Sequence, residues 1–579
     1  MKRCPTCQHV ETDDSLAFCR TDGTLLVRES VPVNDAAGTL KFSDEQGTDS
    51  TETRILPTGD STSRPATETT ILETHSTSGG RQKRSKPKAR KAVVFAATAI
   101  LAVAAATYVY HRSARKSATA IESVAVLPLQ NASGDPNAEY LSEGISESLI
   151  NSLSRLKRVK VVARATAFTY KGSSSDPREA GRRLNVDAVL TGKVTLLGDT
   201  LIVQTDLIDV ADGSQIWGEH YARKLADLLS VQEDISREIL AKLQPELSTE
   251  DKQQLANLYP NSSEAYRLYL MGRYFWNRRT EEGLKKGLGY FEKAISTDPG
   301  YALAYVGLAD SYNVLGFYSF LPPKESFPKA KAAAKRALEL NGRLAEAHNS
   351  LAYATLYYDW DFTAAENGFK RAIELNPDYP VAHQWYGNLL SAMGRWDEAI
   401  GQFGHAQKLD PLSLIIVAVP CWTYYYARQY DRAVEHCQKA IDMDRNFALA
   451  HYFLGQAYER KGAYESAVSE FKETLSLSRD YPEAEALLAH AYAVSGDKRQ
   501  AHAVLDSLTE LSKQRYVSPY HIATIHVGLG NKDEAFKWLD TAYNDRQNIL
   551  VFLRHDARLD TLRSDPRFAE LVRKVGLPQ

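Results

Sequence analysis

The sequence has almost no net charge and lacks the short motifs of common enzymes. Its 579 residues carry 70 Lys and Arg against 72 Asp and Glu, so no overall charge draws the chain toward nucleic acid. It contains no G-x-x-x-x-G-K-[ST], H-E-x-x-H, G-x-S-x-G or H-R-D sequence. Phosphate cradling, zinc hydrolysis, elbow-serine chemistry and kinase chemistry therefore lack their usual residues. The sequence predicts a protein that is not an enzyme.

Long uncharged runs are also scarce, with one exception at residues 92–110. This run carries no charge, and seven of the eleven residues 81–91 before it are Lys or Arg. A helix of that length, at about 1.5 Å per residue, just crosses a hydrocarbon core of roughly 30 Å. Because basic flanks stay in the cytoplasm, we predict a single-pass protein of the bacterial inner membrane, with a cytoplasmic N-terminus and extracytoplasmic C-terminal domains. A buried core helix is the alternative.

Cysteine is rare, and three of the five cysteines lie within the first twenty residues, at Cys4, Cys7 and Cys19. A C-x-x-C knuckle followed by a second knuckle places four ligands around one Zn²⁺, and here the fourth position is Asp22. The segment resembles the degenerate zinc ribbons that open many bacterial regulatory proteins. We therefore predict a small zinc ribbon over residues 1–27 that docks a protein. A metal-free turn and a nucleic-acid-binding ribbon are the alternatives.

The ribbon is followed by a segment with little apolar surface, residues 28–91. Sixteen of the forty residues 41–80 are Ser or Thr, so the sequence predicts a disordered linker. One string occurs twice in it, as TETRIL and TETTIL, and places Thr53 and Thr69 three residues before a leucine. This spacing is similar to the phosphothreonine ligands of forkhead-associated domains, which makes both threonines candidates for phosphorylation. Chance repetition is the alternative.

Between residues 120 and 244, short apolar runs alternate with segments of helical spacing. Residues 189–196 and 201–208 flank Gly198 and Asp199, which suit a tight hairpin turn, and the whole pattern predicts a small α/β domain. The strings SVAVLPLQNASGDPNAEYLSEGISESLI and LIDVADGSQIWGEHY resemble the TolB-amino-terminal-like domain of bacterial membrane-bound regulators. The resemblance implies a regulatory role, although no winged helix or kinase precedes the membrane segment here.

A period of 34 residues organises the C-terminal half of the chain. It is marked by the alanines Ala365, Ala399, Ala433, Ala467, Ala501 and Ala535. Such a period is typical of stacked helix pairs with a glycine in the turn. The sequence resembles the tetratricopeptide (TPR) repeat most fully at seven positions: His383, Tyr386, Gly387, Ala399, Phe403, Ala406 and Pro411. The resemblance implies an all-α TPR superhelical solenoid over residues 262–579, with a C-terminal cap, that binds protein partners and carries no chemistry of its own.

In TPR geometry the first helix of each repeat lines the concave face. Counting from the alanines places these side chains there: Asn388, Trp422, Tyr425, Tyr426, Tyr452, Gln456, Glu459, Arg460 and His490. Aromatic rings beside amides and an arginine suit an extended peptide, so we predict a peptide-binding groove. The alternative is that the aromatic rings are buried against the next repeat.

The two remaining cysteines, Cys421 and Cys437, fall at positions eight and twenty-four of one repeat. These positions face each other across the two helices, near the roughly 4.4–6.8 Å between Cα atoms that a disulfide needs. A disulfide is one prediction. Two buried free thiols are the other, and the usual spacing of paired helices favours them.

Taken together, these patterns predict a multidomain chain. Its parts are a zinc ribbon, a disordered linker, a transmembrane helix at residues 92–110, a small α/β domain at residues 120–244 and a TPR array. The predicted function is a non-enzymatic, membrane-anchored scaffold or sensor in signalling or regulation, with Zn²⁺ as its one cofactor and without a small-molecule substrate. An envelope assembly factor and a membrane regulator that binds DNA through the ribbon are the alternatives.

Overall fold

The computed structural model describes residues 2–3, 10–11, 27–28, 121–155, 159–173, 176–243, 258–478 and 481–577. The chain divides into two compact units, residues 1–119 and 120–579. In the first, three short strands form an antiparallel sheet of order β2-β1-β3: β1 (Lys2–Arg3), β2 (Val10–Glu11) and β3 (Val27–Arg28). The predicted zinc ligands and phosphorylation sites lie outside the described residues: Cys4, Cys7, Cys19, Asp22, Thr53 and Thr69. These assignments stay predictions.

No helix within the described ranges is long and apolar enough to cross a bilayer. The prediction of a single-pass protein in the bacterial inner membrane is therefore corrected, because the described structure offers no spanning helix. Residues 92–110, on which that prediction rested, lie outside the described ranges. The predicted cytoplasmic N-terminus and extracytoplasmic C-terminal domains depended on that helix and are corrected with it.

A small α/β domain opens the second unit. Its strands are β4 (Ser123–Val126), β5 (Gln130–Asn131), β6 (Lys160–Val161), β7 (Ala188–Leu197), β8 (Thr200–Asp209) and β9 (Gln215–Lys224). Its helices are α1 (Glu139–Leu153), α2 (Arg164–Phe168), α3 (Pro177–Leu184) and α4 (Leu228–Leu243). The strands form a mixed sheet of order β6-β4-β7-β8-β9, with β5 beside β7. The turn between β7 and β8 contains Gly198 at φ 62°, as the hairpin prediction required.

Sixteen helices follow within residues 258–545 and pair into eight antiparallel hairpins. They are α5 (Ser263–Trp276), α6 (Glu281–Thr297), α7 (Ala302–Phe317), α8 (Pro323–Leu340), α9 (Ala345–Ala354), α10 (Phe362–Leu375), α11 (Pro380–Ala392), α12 (Trp396–Leu409), α13 (Leu414–Tyr426), α14 (Tyr430–Met443), α15 (Ala448–Arg460), α16 (Tyr464–Leu477), α17 (Pro482–Ser495), α18 (Lys498–Leu511), α19 (Pro519–Leu529) and α20 (Lys532–Asn544). A π-helical turn, Thr355–Asp359, extends α9. The predicted all-α solenoid is confirmed.

The 34-residue period places small residues where helices touch. All six alanines of the period are fully buried. At Gly455 a Cβ atom would lie 2.6 Å from the Phe471 ring, so glycine lets α15 approach α16. The turn glycines Gly394, Gly462, Gly496 and Gly530 all have positive φ. Two turns in the same phase instead hold Trp360 and Arg428, both at φ 61°.

The chain ends by folding back over the inner face of the array. This C-terminal segment, residues 545–562, contains the 3-10 helices Asn548–Phe552 and Ala557–Leu562 and precedes the last helix, α21 (Pro566–Val575). The Phe552 ring lies 4.5 Å from the rings of both Trp422 and Tyr426. Asn548 donates to the Phe317 carbonyl over 3.0 Å. The segment thereby joins the second hairpin of the array to the fifth.

Candidate functional site

A cavity of about 1070 Å³ lies between the α/β domain and the array. Its walls come from α1 and α2 of the domain, from the first helices of the hairpins and from the C-terminal segment. Ligand sites for drug-sized molecules span roughly 300–1,000 Å³, so this cavity lies just above that range. Its size suits a short peptide.

Buried polar contacts hold the domain against the array. Glu147 on α1 contacts the guanidinium groups of Arg273 on α5 (2.6 Å) and Arg164 on α2 (2.9 Å). Burial opposes the charged form of Glu147, but the two arginines outweigh it and hold the pKa of this carboxyl below its usual value. Farther along, the Thr166 hydroxyl donates to Asp410 over 2.7 Å. The domain therefore contacts the array from its first hairpin to the loop between its fourth and fifth hairpins.

At its first-hairpin end, the cavity is lined by an arginine, Arg279, that has no carboxylate beside it in the part of the chain that the structure describes. Arg279 follows α5 with φ 55°, and its guanidinium lies 3.6 Å from the Trp276 ring centroid. Among the described residues, no carboxylate oxygen lies within 4 Å of it, in contrast to Arg273. Arg279 is exposed to solvent in the cavity, yet enough protein surrounds it that desolvation lowers the pKa of its guanidinium.

Asp310 on α7 lies in the wall of the same part of the cavity. Burial raises its pKa to about 6, although the Ser350 hydroxyl donates to it and Arg273 and Arg279 favour its charged form. The side chains of Tyr318 and Tyr353 line the cavity as well. This end of the cavity is thus polar at its centre and aromatic at its walls.

Another part of the cavity wall is apolar and accessible to solvent. Three large hydrophobic side chains are exposed within the described residues, and two of them, Leu412 (38%) and Met443 (40%), line this cavity. They occupy the loops or helix ends that precede α13 and α15. Exposed apolar side chains at the rim of a concave site are typical of surfaces that receive a partner.

The structure divides the predicted groove residues into two sets. The cavity is lined by Asn388, Trp422, Tyr426, Tyr452 and Gln456, and all five are buried. It is not lined by Tyr425, Arg460 or His490. His490 instead lies 2.8 Å from the buried Glu459 carboxylate.

The groove prediction is corrected where the chain covers its own concave face. Trp422 and Tyr426 line the cavity and also pack against Phe552 of the C-terminal segment, so the chain itself covers part of their surface. Tyr425 is 2% exposed and packs on Tyr426. Trp422, Tyr425 and Tyr426 are thus buried, as the alternative expected, and the peptide-binding groove as a whole stays a prediction.

Cys421 and Cys437 are both fully buried and form a disulfide in the structure, with 5.3 Å between their Cα atoms. The bond joins α13 to α14 within the fifth hairpin. No group of three metal-ligating side chains occurs within the ranges the structure describes.

Comparison with known proteins identifies the array. Residues 369–401, 422–485 and 460–521 each match a tetratricopeptide repeat model. The array is built of TPR repeats. Residues 120–238 match the model described as HilA/YgeH-like transcriptional regulator, second domain. The resemblance of this domain to TolB-amino-terminal-like domains stays a prediction.

Curated relatives match only part of the TPR protein. Putative adenylate cyclase 3 of Rhizobium meliloti (strain 1021) is 29% identical over 237 residues, 40% of this chain and 40% of the relative. Transcriptional regulator HilA of Salmonella typhimurium is 23% identical over 313 residues, 54% of this chain and 55% of the relative. The chain thus spans about half or less of these relatives. Among solved structures, the match to a chain of the APC/C hetero-tetramer Cut9-Hcn1 covers 60% of this chain and 63% of the matched chain. The identity is 16% and the TM-score is 0.38.

Sequence patterns did not point to Arg279, Asp310 or Glu483, although all three line the cavity. Arg279 and Asp310 lie in the first two hairpins, before the alanines that define the period. The sequence does single out Arg428, because it occupies a turn position that is glycine in four other repeats. At this left-handed position the Arg428 guanidinium pairs with the Asp560 carboxylate, 2.6 Å away.

Glu483 gives the cavity a pH-dependent contribution to stability. Burial raises its pKa from the usual 4.5 to about 7, although the Ser319 hydroxyl favours the charged form. The folded protein therefore holds the proton more tightly than the unfolded chain, and stability falls as the pH rises from 4.5 to 7. At 1.36 kcal/mol per pH unit, this difference corresponds to about 3 kcal/mol at pH 8.

We expect Glu483→Gln to be more stable than the wild type at pH 8, by up to about 3 kcal/mol, and nearly equal to it at pH 4.5. Urea unfolding of both proteins across this pH range measures the difference. The exposed Glu473→Gln controls for the loss of one negative charge. An advantage of Glu483→Gln that does not change with pH would contradict the assignment.

Proposed function

We propose that residues 120–577 form a non-enzymatic regulatory module that binds a partner protein. A segment of the partner enters the cavity between the α/β domain and the TPR array. One observation carries this proposal: two folded parts enclose a peptide-sized cavity that exposes Leu412 and Met443 and in which no described carboxylate pairs with Arg279. Repeat arrays of this kind act by holding other proteins on an extended concave surface.

The comparisons support a regulatory role for the shared part. The two curated relatives have names that describe different outputs, adenylate cyclase and transcriptional regulation, and each matches this chain over about half its length or less. A segment that is shared by proteins with different outputs fits a module that receives a signal better than it fits a catalytic domain. The absence of common catalytic motifs from the sequence agrees with this reading.

Site-specific photo-crosslinking in the native cell tests the proposal. With benzoylphenylalanine in place of Phe447, which lines the cavity and is half-buried, we expect a covalent adduct with one partner protein. The same probe in place of Leu197, an exposed hairpin residue outside the cavity, is the control and should give no such adduct. Mass spectrometry identifies the partner and its crosslinked segment.

A second substitution shows whether the adduct depends on the cavity. Leu449→Trp adds volume at a half-buried cavity residue and should abolish the adduct at residue 447. Leu197→Trp should leave it unchanged. Adducts of equal yield at residues 447 and 197, or an adduct that persists in a folded Leu449→Trp variant, would refute binding in the cavity.

A second candidate function is the control of transcription. The match of residues 120–238 to a domain of HilA/YgeH-like regulators favours it. The zinc ribbon with ligands Cys4, Cys7, Cys19 and Asp22 is part of this second proposal, as the segment that would carry the output. Docking through phosphorylated Thr53 and Thr69 is retained as a proposal as well.

A further inference from the structure

We infer that the cavity recognises an acidic side chain, Asp or Glu, of the partner segment, and that Arg279 binds its carboxylate. The inference rests on the proposed function and names the chemistry of that site. It depends on three observations: the surroundings of Arg279, an equivalent arginine that already holds a carboxylate, and the apolar rim.

The first observation is that Arg279 has no carboxylate paired directly with it among the described residues, although Asp310 is near enough to favour its charged form. Its backbone has φ 55°, a conformation that costs a non-glycine residue about 1 kcal/mol or more. Its guanidinium stacks on Trp276 at 3.6 Å and projects into the cavity, with no carboxylate oxygen of the described residues within 4 Å. Desolvation without a paired anion is unfavourable, and a bound carboxylate would offset it.

The second observation comes from an equivalent turn in the same array. Arg428 follows α13 as Arg279 follows α5, and both have positive φ and donate their backbone N–H to a carbonyl of the preceding turn. The two terminal nitrogens of the Arg428 guanidinium lie 2.7 and 2.6 Å from the carboxylate of Asp560. Asp560 belongs to a segment that crosses the inner face of the array and also contributes Phe552. This is a bidentate arrangement that planar guanidinium groups favour.

The fifth hairpin therefore already shows how one aspartate of a crossing segment engages a turn arginine of this array. At the first hairpin, no described segment brings a carboxylate to Arg279 in this way. A partner segment that supplies one carboxylate to Arg279 would reproduce the contact that Asp560 makes with Arg428.

The third observation concerns the rest of the partner segment. Leu412 and Met443 are exposed where they line the cavity, and Phe447 and Leu449 beside them are half-buried. Burial of apolar surface contributes about 25 cal/mol per Å², so aromatic or aliphatic residues are the ones that gain most from this wall. The expected segment thus combines one acidic residue with apolar residues.

A matched control for Arg279 exists at the other end of the array. Arg546 follows α20 with φ 57°, and its guanidinium lies 4.5 Å from the Trp360 ring centroid. It is not among the cavity-lining residues. Arg279→Gln and Arg546→Gln therefore remove the same kind of stacked turn arginine, but only the first lies in the proposed site.

The test uses the full chain and a displayed library of random dodecapeptides whose C-termini are blocked by a constant tail. We expect the recovered peptides to carry Asp or Glu beside aromatic or aliphatic residues. For one synthetic peptide from this set, fluorescence anisotropy should show Kd at least tenfold higher for Arg279→Gln and less than twofold higher for Arg546→Gln. Circular dichroism and thermal melting confirm that both variants fold like the wild type.

Changing the acidic residue of the peptide to its amide completes the cycle. The amide peptide should lose the same factor on the wild type and nothing further on Arg279→Gln, as expected for two groups that act as a pair. Recovered peptides without acidic residues, or binding that ignores Arg279→Gln, would refute the inference. If Leu449→Trp still abolishes the binding of these peptides, the proposed function stands and only the assignment of a carboxylate to Arg279 fails. If no peptide is recovered, or if binding requires a free C-terminus, the inference also fails.

Discussion

Replacing Phe552 with alanine is expected to lower the free energy of unfolding by about 3–5 kcal/mol. The Phe552 side chain is fully buried, and its ring is stacked on Tyr426 and tilted against Trp422, with centroids 4.5 Å away in both cases. Its removal would leave a cavity on the inner face of the fifth hairpin. Urea unfolding followed by circular dichroism measures the loss.

Two variants separate the packing effect from a general effect of mutation. Phe552→Leu keeps most of the apolar volume and should lose clearly less stability than Phe552→Ala. Leu197→Ala truncates a side chain that is 59% exposed and should change stability by less than about 0.5 kcal/mol. A Phe552→Ala protein as stable as the wild type would mean that the C-terminal segment does not close the inner face in solution.

The repeat itself could be predicted because its constraints are local. Ala467 and Phe471 lie one helical turn apart and meet the same neighbouring helix in each repeat, so the sequence repeats whenever the contact does. The glycines of the turns follow the same rule, because a left-handed turn at a fixed position favours glycine, although Trp360 and Arg428 adopt it in two other turns. Such signals survive without any knowledge of the rest of the chain.

The inner face could not be predicted in the same way, because its contacts join distant parts of the chain. Trp422 and Tyr426 occupy positions that suit either a ligand groove or a core, and the decision depends on Phe552 far along the sequence. The same holds for Thr166 and Asp410, which bring the α/β domain over the array. No period or local motif records these pairs, so the enclosed cavity emerges only in three dimensions.

The buried ion pair of the C-terminal segment gives the second large effect. Asp556 is fully buried, and Arg558, 4% exposed, contacts it over 2.6 Å. The Tyr520 hydroxyl on α19 also donates to Asp556 over 2.6 Å. We expect Asp556→Asn to destabilise the protein by about 3–5 kcal/mol, because it leaves a buried guanidinium without its counter-charge. Urea unfolding at pH 7 measures this loss.

A double variant tests whether the unpaired charge is the cause. Arg558→Met alone leaves the Asp556 carboxylate buried without its partner, while the combination Asp556→Asn with Arg558→Met removes both charges. Replacing a buried pair by uncharged groups is often far less costly than breaking it. The double variant should therefore be destabilised by clearly less than the sum of the two single variants. Additive losses would show that the two side chains act independently.

The same pair also sets a dependence on pH whose sign is fixed by the chemistry. Burial alone would raise the pKa of Asp556, but the Arg558 guanidinium and the Tyr520 hydroxyl outweigh it and hold the pKa well below the usual 3.8. The stability that the ionised Asp556 supplies is thus fully present above about pH 4 and is lost as the pH falls below that value.

Asn cannot take up this proton, so the gap in unfolding free energy between wild type and Asp556→Asn should narrow on acidification from pH 5 to pH 2.5. The neighbouring His521, whose pKa burial lowers to about 3, destabilises both proteins as the pH falls and does not by itself close that gap. A gap that stays constant down to pH 2.5 would contradict the depressed pKa of Asp556 and, with it, the ion pair as the origin of the effect.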